Sequence, residues 1–259
     1  MKNNYNFNPE TAFNTITNHY MSWVTINGLP KKVVVGISGG IDSTVVAAIF
    51  VKILGPDNVI GLSMPCDYQA DMNDVNEVFK FLGIKRFDFD IGDANHSIVT
   101  GIENNGIEVS DLTKTNLPAR LRMASVYAFA QSLNAIVLNT GNLSESLASY
   151  DTLFGDDCGS YAPIQRLTKT EIRKLATYLG VPHFLVNKTP IDGLQNKSDE
   201  ENFGYTYEAM DKYIRTGIGE KDVIDKIIRR YETGGKWKMK MVTISGPEFD
   251  FPNYITESK

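Results

Sequence analysis

The residues best suited to chemistry stand in one short run, Ser38-Gly39-Gly40-Ile41-Asp42-Ser43-Thr44, directly behind Val33-Val34-Val35-Gly36-Ile37. A β-branched run that feeds glycines and then a helix gathers free backbone N–H groups at the helix start, and those donors plus the helix dipole form an anion site. Glycine lets the backbone approach a phosphate closely, and Ser38, Ser43 and Thr44 add hydroxyl donors. The run lacks the lysine of GxxxxGK[ST], which disfavours γ-phosphoryl transfer, and it is not GxGxxG. It carries Asp42 inside the loop instead. A carboxylate beside phosphates is repulsive unless a hard cation lies between them, which points to Mg²⁺ shared by Asp42 and a nucleotide. Two glycines alone would equally suit a ligand-free turn capped by Ser38 or Asp42.

The full SGGxDS string after a β-branched run resembles the loop of the N-type ATP pyrophosphatases, adenylating ligases that release pyrophosphate. Further segments narrow the resemblance. Asn116-Leu117-Pro118-Ala119-Arg120-Leu121-Arg122-Met123 is similar to the N-x-x-A-R-x-R-M helix start of NAD synthetases. Arg120 and Arg122, two apart, cannot share one helix stripe and would suit two partners. Asn139-Thr140-Gly141-Asn142-Leu143-Ser144-Glu145 resembles the family's second ATP-side motif. Phe154-Gly155-Asp156, Leu167-Thr168-Lys169-Thr170, Lys188-Thr189-Pro190 and Ser198-Asp199-Glu200 with Gly204 and Tyr207 follow in the family's order.

The resemblance implies an adenine nucleotide alpha hydrolase-like fold and a reaction in which deamido-NAD, ATP and ammonia become NAD, AMP and pyrophosphate. ATP is expected on Gly36, Ile37, Ser38, Gly39, Gly40, Ile41, Asp42, Ser43, Thr140 and Lys169. Mg²⁺ is expected on Asp42 and Glu145. Asn116, Arg120, Arg122, Asp156, Lys188, Asp199 and Glu200 are expected at the dinucleotide substrate, and Asp42, Lys169 and Asp156 are the expected catalytic residues. Relatives of this type are homodimers with a substrate site partly at the interface. Three departures surround the substrate side: Asp157-Cys158-Gly159 where the family often has a second glycine after Gly-Asp, Pro190-Ile191-Asp192-Gly193-Leu194 in place of P-[ST]-A-D-L, and Lys236-Trp237-Lys238 in place of H-K-R. None of His19, His96 and His183 falls in a motif, so each is expected at the surface or in packing.

The elements that must position these residues alternate. An amphipathic helix with Phe13, Ile16 and Tyr20 fills residues 1–30 up to Asn27-Gly28 and Pro30. Strands are predicted at Lys32–Ile37, Asn58–Met64, Lys85–Ile91 and Ala135–Asn139, and helices at Asp42–Leu54, Asp71–Leu82, Asn116–Leu133 and Lys169–Leu179. This alternation predicts an α/β fold, a doubly wound, mostly parallel sheet with helices on both faces. Residues 140–168 read as a long polar loop of functional character. Helical patterns return at Asp199–Arg215 and Lys221–Tyr231, and the last eight residues or so read as a tail without order.

The chain has 259 residues, with 42% hydrophobic and 22% charged, ordinary for a globular protein. No stretch approaches the ~20 apolar residues that span a bilayer. No basic start followed by an apolar run marks a signal peptide. Cys66 and Cys158 form no CxxC pair, which suits a reducing, cytoplasmic compartment. A net charge of −5 argues against wholesale nucleic-acid binding. The basic run Lys221–Lys240 reads as a solvated helix face, or else a phosphate-facing tail. The whole chain is expected to be one domain, and the roughly fifty residues after the motifs are too few for a glutaminase. The other readings are a related adenylating enzyme, such as a GMP synthetase core or a tRNA-modifying enzyme, an ATP-binding sensor without turnover, and a structural α/β protein.

Overall fold

The computed structural model describes residues 5–67, 72–188, 199–241 and 244–257. Four strands, β1 (Val33–Gly36), β2 (Val59–Ser63), β3 (Lys85–Asp88) and β4 (Ile136–Val137), form a parallel sheet in the order β3-β2-β1-β4. The chain builds outward from β1 through β2 to β3, then returns to the other side of β1. The strand order therefore reverses between β1 and β4, and the crevice at their carboxyl ends is where open α/β sheets hold ligands.

Alternation within β1 divides the core. Val33 and Val35 pack with α1 (Pro9–Asn27), α2 (Ile41–Leu54), α3 (Met72–Leu82) and α7 (Lys169–Leu179), while Val34 joins Val126 and Ala130 of α5 (Asp111–Leu133) on the opposite face. Helices thus cover both faces, as the alternation predicts. Nearly every residue of α2 from Ile41 to Phe50 is buried, because α2 lies between the sheet and α7. In α1 the buried stripe is Ala12, Ile16, Tyr20 and Val24, with Phe13 at its edge. Asn8 caps its start, accepting from the Thr11 N–H, and Gly28 closes it in the left-handed conformation.

Several boundaries differ from the sequence reading. β3 ends at Asp88, at the sheet edge beside β2, although the Phe89 and Ile91 N–H groups still donate to the Ser63 and Pro65 carbonyls; Phe87 and Phe89 both lean on Phe129. α4 (Gly92–Glu103) was not expected: it buries only Gly92, so it has no apolar stripe to read. α5 begins at Asp111, not Asn116, since the Ser110 side chain accepts from the Thr113 N–H and the helix absorbs Pro118 in its interior. The expected loop 140–168 contains α6 (Leu143–Leu147) and a segment that buries Tyr161, Ile164 and Leu167. After α8 (His183–Val186), the helical stretch from Asp199 divides into α9 (Asp199–Phe203) and α10 (Tyr207–Thr216). Gly204 at φ +74° breaks it and Thr206 caps the second part.

α11 (Lys221–Arg230) continues through a π-helical turn, Tyr231–Gly235, into α12 (Lys236–Met241). The basic run here is not only a solvated face. Arg230 donates to the Asn202 carbonyl at 2.7 Å, and Lys238 donates to the backbone oxygens of Ser149 and Asp151. Among the described residues of the expected tail, α13 (Tyr254–Glu257) forms and Ile255 is buried. Among the described residues, no helix is long and apolar enough to cross a membrane.

Candidate active site

β1 and β4 deliver two loops to the switch point. Ile37 still bonds β2 through its N–H to the Leu62 carbonyl at 2.9 Å, so the turn begins only at Ser38. Gly39 takes φ +82°, and a Cβ there would lie 3.2 Å from the Asp74 Cβ and the Val75 backbone nitrogen. Both the positive φ and the close approach of α3 demand glycine. The Ser38 and Ser43 hydroxyls are 3.2 Å apart, and Ser38 Oγ accepts from the Gly40 N–H at 3.2 Å. Ile37 and Ile41 bury their side chains, leaving their backbone to the loop.

The second loop turns on two asparagines. Asn139 accepts from the Gly141 N–H at 2.8 Å and donates to the Cys158 carbonyl at 2.8 Å, tying β4 to residues 156–158. Asn142 caps α6 by accepting from the Glu145 N–H at 3.0 Å, while its amide donates to Asp42 Oδ1 at 3.1 Å. One side chain therefore joins the phosphate-type loop to the helix that carries Glu145.

Lys169 opens α7 and closes the constellation. Its Nζ donates to Asp42 Oδ2 at 2.6 Å and to Glu145 Oε1 at 2.9 Å. The ammonium is 2% exposed, and the two carboxylates keep 17% and 21% of their surface open to the cleft. Burial alone would lower the Lys169 ammonium, but Asp42 and Glu145 hold it well above the ordinary lysine value. Burial pushes the Glu145 carboxyl up to about 7; Lys169 opposes this, and the Asp42 charge adds to it. The Tyr207 ring lies beneath the ammonium, 5.2 Å away, and the Tyr207 hydroxyl donates to Asp199 Oδ2 at 2.9 Å.

Ser38, Asp42, Ser43, Thr140, Gly141, Glu145, Ser146, Asp151, Asp156 and Asp157 line the cleft. Three of the expected substrate residues meet a single loop at Thr152 and Leu153. Asp156 accepts from the Thr152 N–H at 2.7 Å, Asn116 accepts from the Thr152 hydroxyl at 2.9 Å, and Arg120 donates to the Leu153 carbonyl at 3.4 Å. Arg122 turns to a different partner, donating to the Met64 carbonyl at 2.9 Å. Asp157, one of the departures, is pushed up to about 6 by burial and by Asp151 and Asp156. Lys238, another departure, pairs with Asp151 at 3.0 Å.

Other expected residues lie elsewhere. Lys188 pairs with Asp74 at 2.5 Å, and Asp74 is the α3 residue that abuts Gly39. Asp199 stands behind Tyr207, and Glu200 accepts from the Tyr207 N–H at 2.9 Å. The departure Pro190-Ile191-Asp192-Gly193-Leu194, with Thr189 and Ser198, lies outside the described residues, as does the expected helix start at Asp71. His19 bonds the Tyr161 hydroxyl at 2.9 Å and His96 pairs with Asp67 at 3.0 Å, while His183 meets Asn187; all three are away from the cleft residues. Sequence reasoning missed Asn139, Tyr207's place under Lys169, and Asn142, although Asn-x-x-Glu at 142–145 is a readable helix start.

Among the described residues, no three carboxylates, histidines or cysteines are grouped so as to hold a metal unaided. The donor set still fits Mg²⁺, which takes one or two carboxylates and completes its shell with water and substrate phosphates. Asp42 and Glu145 already converge on one cation.

A parallel sheet whose switch-point cleft joins a glycine loop, an aspartate, a glutamate and a buried lysine defines a nucleotide-dependent α/β enzyme. The chain belongs to the NAD synthase family, ATP-dependent ligases, whose sequence model matches residues 12–243. It is 36% identical to an NH(3)-dependent NAD(+) synthetase of Finegoldia magna over 86% of this chain and 90% of that one. It is 40% identical to a protein of the same description from Methanococcus aeolicus, over 80% and 82%. The structure of an NMN synthetase from Francisella tularensis superposes with TM-score 0.82 at 31% identity, covering 94% of this chain and 100% of that one.

Proposed function

We propose that this ligase amidates the nicotinate carboxylate of deamido-NAD, using ATP and ammonia and releasing AMP and pyrophosphate. The observation that carries the reading is the Lys169 ammonium held between Asp42 of the glycine loop and Glu145 of α6, at the mouth of the switch-point crevice. A carboxylate is a poor acyl donor because its oxygen leaves poorly. Its attack on the α-phosphorus makes a mixed anhydride, and pyrophosphate departs along residues 38–44. Asp42 and Glu145 would hold Mg²⁺, which when bound neutralises phosphate charge. Lys169, bonded to both of these carboxylates, would share in stabilising that developing charge. Ammonia then attacks the activated carbonyl and AMP leaves. Asp156, in the same cleft, positions ammonia or accepts its proton.

The reading extends to a cytoplasmic homodimer that takes free ammonia. Arg120 and Asn116 then serve the nicotinate side through the loop at Thr152–Asp156, with Arg122, Lys188, Asp199 and Glu200 completing the substrate set. A second reading is favoured by the similarity to the NMN synthetase over that chain's full length. Here the carboxylate would be that of nicotinate mononucleotide, and the changes at Asp157 and at Lys236-Trp237-Lys238 would mark a shorter substrate.

The test is to supply ATP, Mg²⁺ and ammonium with either deamido-NAD or nicotinate mononucleotide, and to follow AMP, pyrophosphate and the amide. A higher kcat/KM with deamido-NAD supports the first reading and the reverse supports the second. Pyrophosphate release with neither amide would overturn both.

A further inference from the structure

Asp211 is a carboxylate that the reaction does not touch, yet it is 3% exposed, in the interior between α6, α7 and α10. Both of its oxygens are committed. Oδ1 accepts from the Ser144 hydroxyl at 2.6 Å, and Oδ2 accepts from the Thr170 N–H at 2.7 Å. Ser144 Oγ in turn accepts from the Lys169 N–H at 3.1 Å. Ser144 precedes Glu145, and Thr170 follows Lys169. One side chain on α10 is thereby bonded to the neighbours of both groups that meet at the cleft.

α6 has five residues, far too few to hold its own conformation or place Glu145 by helical stability. Its position must come from outside contacts. The first N–H groups of α7 are likewise consumed by Ser144 and Asp211, so this helix end serves to anchor Lys169. We propose that Asp211 is a positioning residue for adenylation: through Ser144 and Thr170 it sets the distance between Glu145 and Lys169. A simple capping role for Thr170 would leave the short bond to Ser144 without purpose. The proposal rests on the adenylating reading of the cleft.

The test uses the full chain with Asp211→Asn, Ser144→Ala and the double variant. Four quantities are measured: kcat, KM for the nicotinate substrate, calorimetric Mg·ATP affinity without the other substrates, and the thermal midpoint. A misplaced pair should lower kcat and Mg·ATP affinity about tenfold or more in each single variant, with the substrate KM within about threefold. The double variant should lose no more than the worse single one, since both cut the same chain of bonds. The proposal is overturned if both single variants keep kcat and Mg·ATP affinity within about threefold of wild type, whatever their midpoints. If Asp211→Asn does not fold, Ser144→Ala decides on the same criterion. If wild type binds Mg·ATP but makes no amide, the functional reading fails, and the clamp is judged on Mg·ATP affinity alone.

Discussion

Lys169 Nζ lies 2.6 Å from Asp42 Oδ2 although 127 residues separate them. The ammonium stands where the two carboxylates would receive a divalent cation, so it neutralises them in the free protein. Replacing it with methionine leaves Asp42 and Glu145 facing each other in a partly closed site. Lys169→Met should destabilise the protein by about 3 kcal/mol at pH 8, as for a broken buried pair. The loss should shrink as pH falls toward 6, because Glu145, pushed up to about 7 even with Lys169 opposing the rise, takes a proton more readily once Lys169 is gone. Urea unfolding at the two pH values checks this. Turnover should fall about 10²–10³-fold in Lys169→Met, and more than tenfold in Asp42→Asn, with the fold intact. Activity of Asp42→Asn within about tenfold of wild type would contradict the metal assignment.

The same carboxyl makes nucleotide binding pH-dependent. Protonated Glu145 cannot ligate a cation, so Mg·ATP binding must expel the proton. Affinity should therefore rise as pH increases through about 7 and level off above it. Calorimetry in buffers of different ionisation enthalpy should register proton release at pH 6 that fades by pH 8.5. Glu145→Gln should remove this dependence.

Glu171 and Arg215 form a pair exposed by only 3% and 5%, with the guanidinium also donating to the carbonyls of Arg166 and Pro252. The Tyr5 hydroxyl adds a bond to Glu171 at 2.5 Å, and Glu171 accepts from the Thr168 N–H at 2.8 Å at the start of α7. Removing one partner strands a buried charge. Arg215→Leu or Glu171→Gln should cost about 3–5 kcal/mol. The midpoint should fall roughly 2–4 °C for each kcal/mol. The apolar double replacement Glu171→Leu with Arg215→Leu should be milder than either single loss.

Gly235 marks where α12 meets α6. A Cβ there would lie 2.7 Å from the carbonyl oxygens of Ser146 and Leu147. Gly235→Ala should cost about 1–3 kcal/mol by overpacking and raise the KM for Mg·ATP by displacing Glu145. Gly101→Ala, on α4 with nothing within 4 Å, is the control; it should be neutral or slightly stabilising in the same melts.

What could be read in advance follows from how local each signal is. The glycine loop and α7 were legible because their physics lies within a few residues. α7 runs from Lys169 to Leu179 as expected, between a Thr168–Glu171 cap and Gly180 in the left-handed conformation. α4 was invisible because it turns almost nothing inward. The split between α9 and α10 hid behind one continuous helical pattern that Gly204 interrupts. Asp211 carries no local mark at all, and the motif that contains Tyr207 does not reveal what its ring faces. Their places under Lys169 and Ser144 exist only once α10 has docked on α6 and α7.

The packing of α7 along α2 has a further consequence, one that lies in the order of synthesis. α2 and the first two strands leave the ribosome long before the helix that covers them. At about 5–20 residues per second, the 127 residues between Asp42 and Lys169 take roughly 6–25 seconds to emerge. Throughout that interval the nascent chain displays an apolar helix without its cover, a target for holding chaperones. The wall of the cleft is therefore exposed to misassociation for that whole interval.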